Sequence, residues 1–283
     1  MSALNKIIAT VVIPANGRVE LTQRAIDSVV RQVDSDLVQI IVVDDASEPA
    51  LNCLSLRDQD SLLRNATRRG AAVSRNRGID VAKGDIIYLL DSDDEFIERQ
   101  FRRDHAELAE FPGILYSAIR SGRFSSDYPC SLSRDTYLSS VFGRYRFVAQ
   151  TSSLCFTAAA GYRFDESLPK HQDWDFVFNA LRRNASVRHG PGRIHFDRSD
   201  KISLSRSPTQ NKSALWIEKL REIDRAGDTL EIDPDVIEAF LNHGKPGRRN
   251  PFTIEWARIV LSSNFTVLEK IKFVIRSVTK SLR

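Results

Sequence analysis

Cysteine is scarce in this 283-residue chain: only Cys53, Cys130 and Cys155 occur, widely separated and in no Cys-x-x-Cys spacing. So few and so scattered, they indicate neither a disulfide framework nor a thiolate zinc site, and a reducing, cytoplasmic setting is expected. Long hydrophobic runs are missing as well. Nowhere do about 18 apolar residues follow one another, and residues 1–14 lack an apolar core followed by a small-residue cleavage site. Neither a membrane span nor a secretion signal is therefore expected, and the sequon at Asn264-Phe265-Thr266 carries no weight without a secretory context. Repeats and low-complexity tracts are absent. What remains is an ordinary globular composition, 42% hydrophobic and 28% charged, long enough for a sizeable core.

The formal charge of +4 is compatible with nucleic acid, anionic lipid or plain solubility, so its distribution matters more. Acids gather at Asp44-Asp45 and at Asp91, Asp93, Asp94 and Glu95. Basic residues crowd the end, where residues 270–283 carry Lys270, Lys272, Arg276, Lys280 and Arg283 without one acid.

Residues 7–14 form a β-branched run ended by Pro14, which reads as a buried strand. No Gly-x-Gly-x-x-Gly follows it, which speaks against a dinucleotide oxidoreductase, and no Gly- and Lys-bearing loop, which speaks against a nucleotide-sugar pyrophosphorylase. Residues 20–33 show a helical period through Leu21, Ala25, Ile26, Val29, Val30 and Val33. Residues 38–43 are a second apolar strand ending in Asp44 and Asp45; 71–82 are helical, and Asp85–Leu90 is a third strand that leads into Asp91. Alternation of this kind implies a parallel sheet with helices on its faces, whose ligands gather outside the carboxyl ends of the strands. Pro14, Asp45 and Asp93 all fall there, so the acids are expected to converge. Helices are also expected at 100–112 and 173–181. Residues 187–196, with Gly190-Pro191-Gly192, read as short strands around turns. Beyond Pro208 the pattern is helical, and a boundary is expected near 206.

Four carboxylates in five positions at the end of a buried strand raise one another's pKa unless a cation or hydrogen-bond donors offset them. Carboxylates are hard oxygen ligands suited to Mg²⁺ or Mn²⁺, ions that keep waters and reach substrate phosphates. The alternative is a polar turn in which Asp or Ser caps a following helix.

Four segments in order, Val11-Val-Ile-Pro-Ala-Asn-Gly-Arg, Ile41-Val-Val-Asp-Asp-Ala-Ser, residues 70–85 and Leu89-Leu-Asp-Ser-Asp-Asp, resemble glycosyltransferase family 2. Phe164-Asp-Glu-Ser-Leu-Pro-Lys-His-Gln-Asp-Trp-Asp-Phe is similar to the segment that holds its catalytic carboxylate. The resemblance covers about residues 7–206 and implies a GT-A fold, an α/β architecture with a mostly parallel sheet flanked by helices. A catalytic domain at 1–206 would divide into a nucleotide-binding half (about 1–96) and an acceptor half (97–206), with a helical extension at 207–283. The implied activity is inverting transfer from a UDP-sugar to a hydroxyl of a glycan or lipid-linked glycan. The rival from outside enzymology, a basic nucleic-acid binder, is opposed by acids at three strand ends, which repel phosphate.

On this resemblance Pro14 lies beside the base and Asp45 accepts its N3–H. Arg75 neutralises phosphate or belongs to a solvated face. Asp91 contacts the ribose or a metal-bound water, Ser92 turns its backbone toward the sugar, and Asp93 binds Mn²⁺ or Mg²⁺. Asp173 is the base that deprotonates the acceptor, with Gln172 standing where many relatives have Glu. His195 resembles a late histidine that completes the metal sphere in some relatives; otherwise it is structural. The apolar stripe from Phe265 to Leu282, ringed by basic residues, suits either an anionic cytoplasmic membrane surface or packing on protein.

Overall fold

A computed structural model describes residues 6–121, 124–125, 131–142, 150–195, 210–228, 230, 234 and 237–238. The expected boundary near 206 and the basic stretch 264–283 lie outside the described residues. Contacts divide the chain into two compact units: Met1–Ser133 with Ala149–Ser167 and Gln172–Ile202, and Arg134–Val148 with Leu168–His171 and Ser203–Arg283.

The first unit is built on a mixed sheet of ten strands. They are β1 (Ala9–Ala15), β2 (Val38–Asp44), β3 (Ser61–Arg64), β4 (Ile86–Leu89), β5 (Glu95–Glu98), β6 (Gly113–Ser121), β7 (Phe124–Ser125), β8 (Ser131–Leu132), β9 (Leu154–Thr157) and β10 (Ser186–His195). The order is β3-β2-β1-β4-β9-β6-β10-β5, with β7 on β6 and β8 on β10. Most paired residues lie in parallel ladders, because β3, β2, β1 and β4 all run the same way and β6 and β10 do too. After β1 the chain goes to one side for β2 and β3, then returns to the other side for β4. That reversal opens a crevice at the carboxyl ends of β1, β2 and β4.

Continuous apolar runs become β1, β2 and β4 because both faces of these strands are covered. Val11, Ile13 and Ala15 pack with Ala25, Ile26 and Val29 of helix α1 (Val19–Val30), and the same cluster takes in Phe101 and Leu108 of α3 (Phe101–Glu110). Each such fully buried aliphatic side chain stabilises by roughly 1.5–3 kcal/mol. The opposite face meets α2 (Ala71–Asp80), where Gly78 lies so close to Val12 that an added Cβ would sit 2.4 Å from it. Gly84 is more constrained still: a Cβ there would come within 2.3–2.6 Å of the backbone at Ala9 and Thr10, so the approach to β4 admits no side chain. Helix α5 (Gln172–Arg182) adds an aromatic group in which Phe164 stacks on Phe176 at 4.5 Å.

Two sequence expectations are corrected here. Gly190-Pro191-Gly192 does not break the chain into short strands: β10 runs through it, with a register shift against β6 between His189 and Arg193. The glycine is needed because a Cβ on Gly192 would meet Arg99 at 2.6 Å and Ser117 at 2.8 Å, and the irregularity absorbs the proline. The acidic cluster, for its part, is followed by β5 and not by a helix, so the helix-cap alternative does not apply.

In the second unit, α4 (Arg134–Phe142) and α6 (Gln210–Arg225) are described. Trp216 of α6 is fully buried against the His171 ring, whose Nε2 lies 2.9 Å from Ser213 Oγ. Burial, with Lys170 contributing, pushes the His171 pKa down to about 3, so this histidine is neutral at physiological pH. Among the described residues no helix is long and apolar enough to cross a membrane.

Candidate functional site

Three strand ends and one helix start supply the groups expected from the sequence. At β1, the chain leaves Pro14 and Ala15 through Gly17 (φ 66°) and Arg18 (φ 55°), two left-handed residues in succession. This turn sends the Arg18 guanidinium to Asp93, with Nη1 donating to Oδ2 at 3.1 Å. Asn16 Nδ2 donates to the Asp45 carbonyl (2.7 Å) and the Gly17 amide to Ser47 Oγ (2.7 Å), so the ends of β1 and β2 are tied together.

Asp44 and Asp45 at the end of β2 divide their work. Asp44 is buried and organises the turn: it accepts the amides of Ser47 (2.8 Å) and Leu51 (3.3 Å) and a short hydrogen bond from Arg64. Burial alone would raise its pKa, but the donors from Ser47, Arg64 and Leu51 outweigh it and hold the group below the usual range. Asp45 accepts Asn65 Nδ2 and the Arg69 amide on Oδ1 and the Gly70 amide on Oδ2, each at 2.8 Å. Three donors on about four lone-pair sites leave room for one more.

Beyond β4, residues 91–94 form a turn closed by the Asp94 amide donating to the Asp91 carbonyl at 3.0 Å. Asp91 Oδ1 accepts Arg75 Nη2 at 2.6 Å, and Ser92 lies half-buried beside it. The Asp93 pKa is raised, chiefly by burial and then by Asp91, and Arg18 only partly offsets this. Asp94 is buried and faces inward, held by Gln150 Nε2 (2.7 Å) and Ser152 Oγ.

Arg75 connects this turn to α5. While Nη2 binds Asp91, Nη1 donates to Gln172 Oε1 at 3.1 Å, and the guanidinium lies over Phe164 at 5.1 Å. It is buried and ion-paired, not part of a solvated face. Asn76, next to it, instead pins the preceding loop through Phe164 and Glu166. Asp173 follows Gln172 at the start of α5, with Oδ1 accepting the Trp174 amide at 3.0 Å. Its pKa is pushed up to about 6 by desolvation, with the Asp91 charge adding and Arg75 opposing. A carboxylate poised near neutrality is suited to proton abstraction. Asp175 turns inward, buried, to accept Asn179 Nδ2 at 2.7 Å.

His195 stands exposed at the end of β10, opposite Glu95, and lines a cleft of about 860 Å³ with Arg31, Glu98, Arg102 and Arg103. Among the described residues no group of three or more His, Cys, Asp and Glu side chains is assembled to hold a metal ion. The donor chemistry nevertheless fits a hard divalent cation. Asp91 and Asp93 each give one oxygen to a guanidinium, and a carboxylate has a second hard oxygen of the kind such a cation takes.

Arg18, Gln150 and Ser152 were not identified from the sequence. The Asn16-Gly17 turn signal could have pointed to the first; the other two depend on which strand pairs with β4.

Residues 10–167, more than half of the chain, match the family model described as Glycosyl transferase family 2. Over 191 residues the chain is 30% identical to the amylovoran biosynthesis glycosyltransferase AmsB of Erwinia amylovora, covering 60% of this chain and 63% of that protein. Over 107 residues it is 30% identical to an uncharacterized glycosyltransferase of Haemophilus influenzae, covering 38% and 36%. The chain thus spans less than two thirds of the length of these curated relatives. Crystal structures of S. aureus TarS residues 1–349 share the fold. The complex with UDP-GlcNAc has a TM-score of 0.56 at 15% identity, over 96% of this chain and 72% of that one. For the UDP complex the values are 0.58 and 16%, over 97% and 89%. The chain belongs to glycosyl transferase family 2 and carries its GT-A type sheet.

Proposed function

We propose that this protein is an inverting glycosyltransferase that moves a sugar from a UDP-sugar to a hydroxyl of a glycan or lipid-linked glycan, as polysaccharide assembly requires. The observation that carries the reading is Arg75, which binds Asp91 of the acidic turn with one arm and Gln172, beside Asp173, with the other. A metal-binding carboxylate and a base of raised pKa therefore stand around one guanidinium. The UDP and UDP-GlcNAc bound by TarS favour a uridine donor, and the product named for AmsB favours a polysaccharide acceptor.

In this reading Asp45 accepts the N3–H of uracil with its remaining lone pair, beside Pro14, and Asp91 and Ser92 face the ribose and sugar. Asp91 and Asp93 would hold Mn²⁺ or Mg²⁺, which would supply positive charge to the departing diphosphate, while His195, at the end of β10, is not grouped with them and takes no ligand role in this reading. Arg18 and Arg75 add guanidinium charge to the same side. Asp173 takes the proton of the acceptor hydroxyl as its oxygen bonds to the anomeric carbon and the bond from that carbon to the diphosphate oxygen breaks. One displacement inverts the centre and releases UDP.

A panel of UDP-sugars scored for slow hydrolysis tests the donor without needing an acceptor. UDP is expected to appear with Mn²⁺ and not with chelator, and Asp93→Ala should abolish the metal-dependent part. Salt-sensitive RNA binding without release of UDP would instead favour the non-catalytic binder. The basic stretch 264–283 would dock the enzyme on an anionic leaflet beside a lipid-linked acceptor. Flotation with anionic liposomes should then be lost on truncation at 263, and unchanged flotation removes the membrane role.

A further inference from the structure

We propose that Ser152 is a positioning residue for the acidic turn, its one hydroxyl setting where Asp91 and Asp93 present their carboxylates; this rests on the reading of that turn as the metal-diphosphate site. Ser152 is fully buried in a short 3₁₀ turn, Thr151–Ser153, directly before β9. In the antiparallel β4–β9 ladder Tyr88 faces Cys155, so counting three residues on along β4 and three back along β9 brings Asp91 opposite Ser152. The side chain completes the pairing that the strands no longer make. Ser152 Oγ accepts the Asp91 amide at 2.9 Å and donates to Asp94 Oδ2 in a short hydrogen bond. A hydroxyl is the side-chain group that can accept and donate through a single atom.

The turn between these two contacts is closed by the Asp94 amide on the Asp91 carbonyl, so both ends of 91–94 are held and Asp93 lies inside the loop. Two further groups brace the arrangement. Gln150 Nε2 donates to the same Asp94 oxygen at 2.7 Å, and Arg99 Nη2 donates to the Ser152 carbonyl at 3.1 Å. Arg99 is itself buried and stacked on Phe96 at 4.6 Å. Asp94, the third aspartate of the cluster, is on this geometry an inward anchor and not a ligand: it is buried, and its Oδ2 takes both Ser152 and Gln150. Removing the hydroxyl frees the Asp91 amide and leaves the outward carboxylates to wander, which costs a metal site more than it costs the sheet.

Calorimetry of UDP binding with and without Mn²⁺, on the full chain, tests this. For Ser152→Ala the gain in UDP affinity that Mn²⁺ confers is expected to fall about tenfold, the size typical of a lost hydrogen bond to a charged group. Affinity without Mn²⁺ should change less than about twofold, and Ser152→Thr, which keeps the hydroxyl, should restore the gain. An unchanged gain, or equal losses with and without Mn²⁺, overturns the positioning role. Should Ser152→Ala fail to fold, Gln150→Ala reports on the same Asp94 oxygen: a gain cut about threefold supports the inference and an unaltered one overturns it. Wild-type protein with no Mn²⁺-promoted gain overturns the metal-diphosphate reading and this inference together, whereas a wild-type gain that both variants keep overturns the inference alone.

Discussion

Asp173→Asn should lower sugar transfer about 10²- to 10⁴-fold, the range expected when a general base is removed, while UDP affinity measured with Mn²⁺ stays within about twofold. Asn matches Asp in shape and can still accept the Trp174 amide, but it cannot take up a proton. The wild-type pH profile should carry the signature of that proton. Because burial holds the Asp173 pKa near 6, with Asp91 adding and Arg75 opposing, the side chain is protonated below that pH and useless as a base. The value of kcat/KM should therefore climb through about pH 6 and level off above it, and the residual rate of the Asn variant should lack this limb. Stability gives an independent check. A carboxyl raised from 3.8 to about 6 is charged at pH 7 against the preference of its surroundings, and stability declines as pH rises from about 4 to 6. Asn abolishes that cost, which is at most about 3 kcal/mol and less for a half-buried group. The variant should melt no lower than the wild type, which separates lost chemistry from lost fold. Loss of UDP affinity with turnover retained would reverse the assignment.

Arg75→Met should be nearly as damaging, through two separable effects. Arg75 offsets the charge of Asp91 and lowers the pKa of Asp173, while its flat face covers Phe164. Met keeps much of the apolar contact and none of the charge. UDP affinity is expected to fall about tenfold or more, as for the loss of a charge-assisted hydrogen bond. The acid limb of the pH profile should also move to higher pH, because the attraction that favoured ionised Asp173 is gone and the Asp91 repulsion persists. At pH 7 both effects act in the same direction, so kcat/KM should fall about 100-fold. Arg68→Met is the control: Arg68 is exposed, and its loss should move neither affinity nor limb. A Met variant whose limb stays at the wild-type pH would show that Arg75 does not reach the base.

The relation between α2, the acidic turn and α5 shows where sequence reading stops. Asp91 and Arg75 are 16 residues apart, and a strand following a helix at that spacing suggests adjacency. Gln172 lies 97 residues from Arg75, and no local pattern announces their contact. Likewise β3 is four residues, Ser61–Arg64, with no alternation to mark it; it exists as a strand because β2 offers a parallel edge. Ser152 looked like one small polar residue among several, and its burial against Asp91 follows from β9 pairing with β4 in reverse direction.

The sequence by itself determined the parallel strands β1, β2 and β4, since they are apolar on both faces and such runs satisfy their backbones only inside a covered sheet. It also determined that acids terminate β2 and β4, because charge at a buried strand's end is legible wherever it falls. Only the tertiary structure decided which acid faces which way. Asp45 and Asp94 are held largely by donors from loops distant in sequence, whereas Asp91 and Asp93 each meet a guanidinium and Asp173, taking the Trp174 amide, is raised chiefly by desolvation. Like residues became anchors or reactive groups according to their neighbours, and neighbours brought together across the chain are a property of the fold.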